Sequence, residues 1–279
     1  MIKKYILLAF SLGFLPVLKA QFIESKVLRM PAGKIKQLHE SYLTTNSNSS
    51  SFNSKSTFLY GLNGLVVEQR IFSTEDTSSI DQKIKYTYSM RRLAVEKADG
   101  KEVSINGKSG NSGYQVFYSY DSKGNQISRK YTSDFNNYIE RYNYDVRNNL
   151  TEHIFYDSNG TTVYSESYKY DVNGNQIEKY FRDNISEGNS GPARYKVDSR
   201  GNKIEEKVYF PDGRLRYSML YKYDIRNNRI SEACYTNTGK FLWEKQYEYI
   251  YDNYGNWIKL ITRNDPFIYT IKREIDYYK

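Results

Sequence analysis

The chain is short of the residues that small chemical sites are built from. It has one cysteine, Cys234, in 279 residues, so no disulfide framework is available. It has two histidines, His39 and His153. Neither has cysteine, histidine or carboxylate neighbours at metal-ligand spacing, and each reads as a satisfied or exposed side chain rather than a ligand. No serine or cysteine is spaced with a base as an activated nucleophile. The glycines sit in Gly-Asn pairs between strands, not at the start of a helix, so no phosphate cradle is expected. Lysine and arginine are scattered over polar strand positions without blocks, which argues against a nucleic-acid surface. After residue 20 no stretch approaches the roughly 18 apolar residues of a membrane helix. These gaps predict a protein with no catalytic, cofactor-binding or metal-binding residues, and not an enzyme.

The first 20 residues do have an apolar run. Lys3 and Lys4 precede Tyr5 to Leu18, and a small residue, Ala20, stands before Gln21. This is the layout of a secretory signal peptide, which predicts an exported chain, in the periplasm, at the cell surface or released. The leader holds three lysines and no acid, so its removal lowers the formal charge from +9 to +6.

What the chain has in quantity is tyrosine, 30 residues beside 13 Phe and 2 Trp, and a repeated unit. Tyr168-Lys169-Tyr170-Asp171-Val172-Asn173-Gly174-Asn175-Gln176-Ile177 has relatives ending at Asp121, Asp145, Asp198, Asp224 and Asp252. From each Asp to the next there are 24, 26, 27, 26 and 28 residues, a period that marks a repeat architecture. In Asp-x-x-Gly-Asn the carboxylate can accept from the amide two residues on, while Gly, or Asn148 and Asn227 in its place, takes the left-handed conformation of a tight reversal. The six aspartates therefore cap turns; two strands apart, they are too distant to share an ion. Upstream, Leu215, Tyr217, Met219, Tyr221 and Tyr223 alternate with polar residues, the period of a strand with one apolar face. Downstream, Ile127 with Tyr131, Ile177 with Phe181, Ile204 with Val208 and Ile230 with Cys234 share a face; Leu150 is one place early. Cys234 reads as a small core residue. A second reversal follows about twelve residues later at Asn159-Gly160, Asp212-Gly213 and Thr238-Gly239, with looser ones near Asn136 and Gly188. One repeat is two strands and two turns.

Before residue 111 the unit is hard to find. Pro31 opens an expected short helix with Ile35, Leu38, Tyr42 and Leu43 on one face. Thr44 to Thr57 reads as a loop, Asn63-Gly64 as a hairpin turn, Ile84 to Tyr88 as a strand and Asp99-Gly100 as a turn. The expected organisation is a leader over 1–20, a capping region over 21–110 and a repeat β domain over 111–279.

The Tyr-x-Tyr-Asp-x-x-Gly-Asn-x-Ile pattern resembles the YD repeat of the Rhs family, found in bacterial polymorphic-toxin proteins and in teneurin receptors, over about residues 114–279. The resemblance implies strand-turn-strand ribbons that curl into a shell, enclosing a toxin or presenting an adhesive surface. No recognisable C-terminal toxin domain is expected in this sequence, a departure from the family's pattern. The expected fold is mainly β: an antiparallel meander of two-strand repeats in a curved or shell-like sheet, with the Tyr/Ile face inward and the N-terminal helix as a cap. The expected function is a non-enzymatic exported binding or scaffold protein whose partner is a glycan or cell-envelope protein; the alternative is a component of an Rhs-like toxin system, such as a shell fragment, accessory or immunity protein.

Overall fold

The computed structural model describes residues 35–45, 50–72, 80–105, 108–185 and 190–278. The leader, Pro31 and Gly188 lie outside them. Within them the chain is antiparallel β throughout, twenty strands in chain order. The first five are β1 (Ile35–Thr45), β2 (Ser50–Tyr60), β3 (Val66–Phe72), β4 (Ile80–Ser89) and β5 (Arg92–Ala98). A separate hairpin follows, β6 (Glu102–Ile105) with β7 (Lys108–Asn111). Then come β8 (Tyr114–Tyr120), β9 (Gln126–Ser133), β10 (Asn137–Tyr144), β11 (Leu150–Tyr156), β12 (Thr162–Tyr170), β13 (Gln176–Asp183) and β14 (Gly191–Val197). The last six are β15 (Lys203–Tyr209), β16 (Leu215–Tyr223), β17 (Arg229–Thr236), β18 (Phe241–Tyr251), β19 (Trp257–Asn264) and β20 (Phe267–Tyr277).

Eighteen strands form one sheet in which each pairs with its chain neighbours, and β20 pairs with β1. The sheet is a closed barrel. This corrects the open curved sheet expected from the sequence, and the expected helix is what closes it: Ile35–Thr45 is β1, zipped to β2 on one side and β20 on the other, with Leu38 opposite both Phe58 and Ile275. Two bare sheet edges would leave rows of unpaired backbone groups, and an eleven-residue strand satisfies both at once. Leu38, Glu40 and Tyr42 alternate on the inner face, so the spacing that reads as helical also fits period two. The expected Thr44 to Thr57 loop is corrected in the same way, since Ser50 to Thr57 belongs to β2.

Eight strands fill a barrel with side chains; at sixteen to eighteen an aqueous channel remains. With strands about 4.8 Å apart, eighteen give a girth of roughly 86 Å and a radius of about 14 Å before tilt widens it. Full burial is concentrated on one flank, where Ile35, Leu38, Phe58, Tyr60 and Val66 pack with Tyr86, Ile275 and Tyr277. Along the rest of the wall the inner rings keep partial access to solvent. The outer face carries ion pairs: across strands, Glu178 with Lys169 (2.6 Å) and Arg194 (3.0 Å) and Glu205 with Lys196 (2.6 Å), and along β15, Glu205 with Lys207 (3.1 Å).

Strand alternation puts the reversals on two rims. One rim holds the eight turns from β2–β3 to β18–β19, including all six Asp turns, and also the start of β1 and the end of β20. The other rim holds the remaining connections, with turns at Gly160, Gly213 and Gly239, each at positive φ.

Candidate functional site

Five of the six Asp turns are closed by the same bonds; at Asp252 the Tyr277 hydroxyl donates to Oδ2 (2.6 Å) and Asn256 Nδ2 donates to Tyr277. In the turn after β12, Asp171 Oδ1 accepts from the amides of Asn173 (2.9 Å) and Asn175 (2.8 Å), and Oδ2 accepts from Asn175 Nδ2 (2.9 Å). The Asn175 bond is the first cause of the fall of the Asp171 carboxyl below its ordinary range. Gly174 has φ of 82°, and Asn148 and Asn227 take 65° and 62°. The six aspartates are therefore occupied by their own turns, as their spacing predicts, and the Asn after Gly is there to clamp the second oxygen. Gly61 to Leu65 makes the same backbone bonds without an Asp.

After each of these turns the ladder slips by one residue, leaving a bulge. The second tyrosine of the following unit meets it. Tyr144 donates to the carbonyl of Gln126 (2.9 Å), Tyr170 to Leu150 (2.8 Å), Tyr223 to Lys203 (2.9 Å) and Tyr120 to Leu93 (2.8 Å). Tyr88 does the same for Val66 (2.7 Å). One repeat thus satisfies the carbonyl that the previous one leaves over. The early Leu150 is part of this device: it occupies the bulge opposite Tyr144.

The inner face carries a belt of glutamates, each held by tyrosine hydroxyls and most also by a cation. Glu140 accepts from Tyr142 (2.5 Å) and pairs with Arg129 (2.7 Å) and His153 (3.1 Å). Glu166 accepts from Tyr168, pairs with Lys179 (2.9 Å) and lies 3.5 Å from the other ring nitrogen of His153. Glu206 takes Tyr221 (2.7 Å) and Lys203 (2.9 Å). Glu232 takes Arg229 (2.8 Å), Lys245 (3.2 Å) and the Tyr247 hydroxyl. Glu40 takes Arg273 (2.6 Å) and Tyr42 (2.8 Å), and Glu96 takes Tyr114 (2.7 Å) and Tyr118 (3.1 Å).

His153 is the node that spacing rules miss. Its two carboxylates come from adjacent strands, thirteen residues on either side, half a repeat away. Burial opposes its charge, but the bonds to Glu140 and Glu166 outweigh this and raise it to about 9. Burial likewise opposes ionisation of both glutamates, and the His153 bond with Arg129 or Lys179 beside them carries each down to about 2. His39 is satisfied by Thr57 Oγ1 and Gln37 (both 2.8 Å). Among the described residues no group of three or more His, Cys, Asp or Glu is placed to hold a metal.

Toward the other rim runs a ladder of six rings on six successive strands: Tyr114, Tyr131, Tyr138, Phe155, Tyr164 and Phe181, with centroids 4.7 to 5.8 Å apart. Tyr131 with Tyr138 (4°) and Phe155 with Tyr164 (9°) lie near parallel and cover each other's faces, while the other neighbours are inclined by 27 to 39°. These rings are wall structure, packed on one another across the strands.

The ladder ends at β13, and the wall opens farther round. An open hollow of about 640 Å³ is lined by Tyr217, Met219, Tyr221, Cys234, Leu242 and Trp243, with Glu206, Arg216, Thr236 and Asn237. Burial raises the Cys234 thiol. An apolar body with a few polar groups at its edge is the composition of a small-molecule site.

No family model matches the chain, and no curated protein does. Among solved structures, a porin-like protein from Bacteroides uniformis aligns over 88% of this chain and 98% of its own, at 9% identity and a TM-score of 0.46. A LolA superfamily protein from Nitrosomonas europaea aligns over 93% of each chain at 11% identity and a TM-score of 0.32. A Tc holotoxin pore chain from Photorhabdus luminescens aligns over 80% of this chain but 15% of its own, at 13% identity and a TM-score of 0.26. These similarities are too low to assign an activity.

Proposed function

We propose that the chain is an exported, non-enzymatic binding protein of the cell envelope, which holds a small amphiphilic molecule in the wall cavity between β15 and β18. The observation that carries this reading is the cavity itself. Met219, Cys234 and Trp243 line an open hollow of about 640 Å³ inside a tube whose belt glutamates are held by tyrosine hydroxyls and, in most cases, by cations. Glu140 and Glu166 are held at about 2 rather than poised near neutrality for general acid–base work. The Tyr-rich wall that suggests a glycan surface has its ring faces covered along the ladder, so a sugar platform is the weaker form of the proposal.

Titration of the exported protein with the neutral probe N-phenylnaphthylamine, followed by probe emission and tryptophan quenching, tests it. Saturable binding that Met219→Glu or Trp243→Ala abolishes supports the reading. Equal binding by the Met219→Glu variant and the parent contradicts it. Binding on a glycan array, with no probe binding, would return the glycan to first place.

A further inference from the structure

The rim that carries the Asp turns presents apolar side chains to solvent at the turn tips. Leu62 is 77% exposed, Met90 92%, Val146 89%, Val172 86%, Ile225 93% and Tyr254 56%. They belong to six of the eight turns of that rim. Turn chemistry does not ask for them. The opposite rim uses the same backbone bonds, Gly160 to Asp157, Gly213 to Phe210 and Gly239 to Thr236, with Ser158, Pro211 and Asn237 at the matching position. Within the apolar rim, Ser122 and Ser199 hold that position in two copies with unchanged turn geometry. Folding is therefore indifferent to the side chain at the four tips that hold this position, Leu62, Val146, Val172 and Ile225, and water is an unfavourable place for them; Tyr254 stands one place later and also packs on the Tyr277 ring (4.5 Å).

The next residue in five of the turns is a cation, Arg91, Lys123, Arg147, Arg200 or Arg226, all exposed. Lys123, Arg147 and Arg200 lean on a carbonyl of the adjacent turn (3.3 to 3.5 Å), and Arg200 lies 3.7 Å from Asp198. The turn aspartates direct their carboxylates back into their own amides, which leaves the cations as the outward charges.

We propose that this rim docks on an anionic lipid surface, the tips entering the headgroup layer and the arginines meeting phosphate. The arrangement selects this occupant. Apolar tips about two strands apart, roughly 10 Å, around a ring form no contiguous patch for a shape-complementary protein face. A planar, fluid surface receives each tip separately, and apolar insertion beside cations is the chemistry of interfacial binding. The proposal does not depend on what the wall cavity holds.

The test is sedimentation of the exported chain with vesicles of phosphatidylcholine alone or mixed equally with phosphatidylglycerol. The parent is expected to sediment with the mixed vesicles and to be released by salt. The Val146→Ser, Val172→Ser, Ile225→Ser variant, which takes the residue native at two sister turns, should bind about tenfold or more weakly while keeping the parent's circular dichroism. The Arg91→Gln, Arg147→Gln, Arg226→Gln variant should lose binding to the mixed vesicles alone. Any leader still attached would bind equally in all three, so the comparison isolates the rim. A parent that stays in the supernatant, or a serine variant that binds like the parent, overturns the proposal. So does a concentration-dependent dimer of the parent that the serine variant abolishes, which would make the occupant a second copy.

Discussion

The Tyr144 hydroxyl completes the bulge carbonyl of Gln126, and Tyr170 does the same for Leu150. Each bond should be worth about 1 kcal/mol, because the carbonyl lies where the ladder leaves it without a strand partner. Tyr144→Phe and Tyr170→Phe each remove one hydroxyl and keep the ring, and the double variant should lose close to the sum in urea unfolding; no loss in either single variant would show that water serves these carbonyls equally well. His153 supplies a pH signature. Its folded value is raised to about 9, so its share of stability is complete below its ordinary 6.5 and is lost as pH rises from there through 9. Glu140 and Glu166 are lowered to about 2, so their share is present above their ordinary 4.5 and is lost as pH falls from there toward 2. Melting temperature should therefore be highest between about pH 4.5 and 6.5, and His153→Gln should flatten the alkaline limb, a change that melting curves across pH would show directly.

At the scale of the element, register decides which substitutions matter. Tyr221 is 7% exposed on the inner face of β16, and Lys222 is exposed on the outer face. Tyr221→Ala should cost about 3 kcal/mol and Lys222→Ala less than about 0.5, and similar shifts in denaturant midpoint would mean the register is wrong. At the turn, Gly174 has φ of 82° with no side chain crowding it, so Gly174→Val should destabilise through backbone strain alone, measured against Gly174→Asn as the tolerated control. These features were legible in the sequence because a two-residue period and an Asp-x-x-Gly-Asn turn are local. The glutamate belt was not. Glu140, His153 and Glu166 are thirteen residues apart and meet only across strands, and a Glu within a run such as Tyr164-Ser165-Glu166-Ser167-Tyr168 looks like any polar residue. The half-repeat spacing was the available signal.

At the scale of the molecule, the repeats make a long meander and leave two questions to tertiary structure: whether it closes, and through what. A sequence window cannot see that β2 and β20 are two edges in search of one strand, so Pro31 and the spacing of Ile35, Leu38, Tyr42 and Leu43 point to a helix where Ile35–Thr45 is a strand. Closure turns an open aromatic face into a lumen, and the wall cavity is a lumen feature. The most direct measurement joins the two ends of the sheet. In a Cys234→Ser background, Ser41→Cys with Lys272→Cys places two thiols at directly opposed outer positions of β1 and β20, a separation that suits a disulfide. Lys169→Cys with Glu178→Cys is the control inside the meander. Under mild oxidation the closed barrel predicts an intramolecular cross-link in both pairs, seen as a faster band without reductant. A cross-link in the control pair but none between positions 41 and 272 would contradict closure through β1.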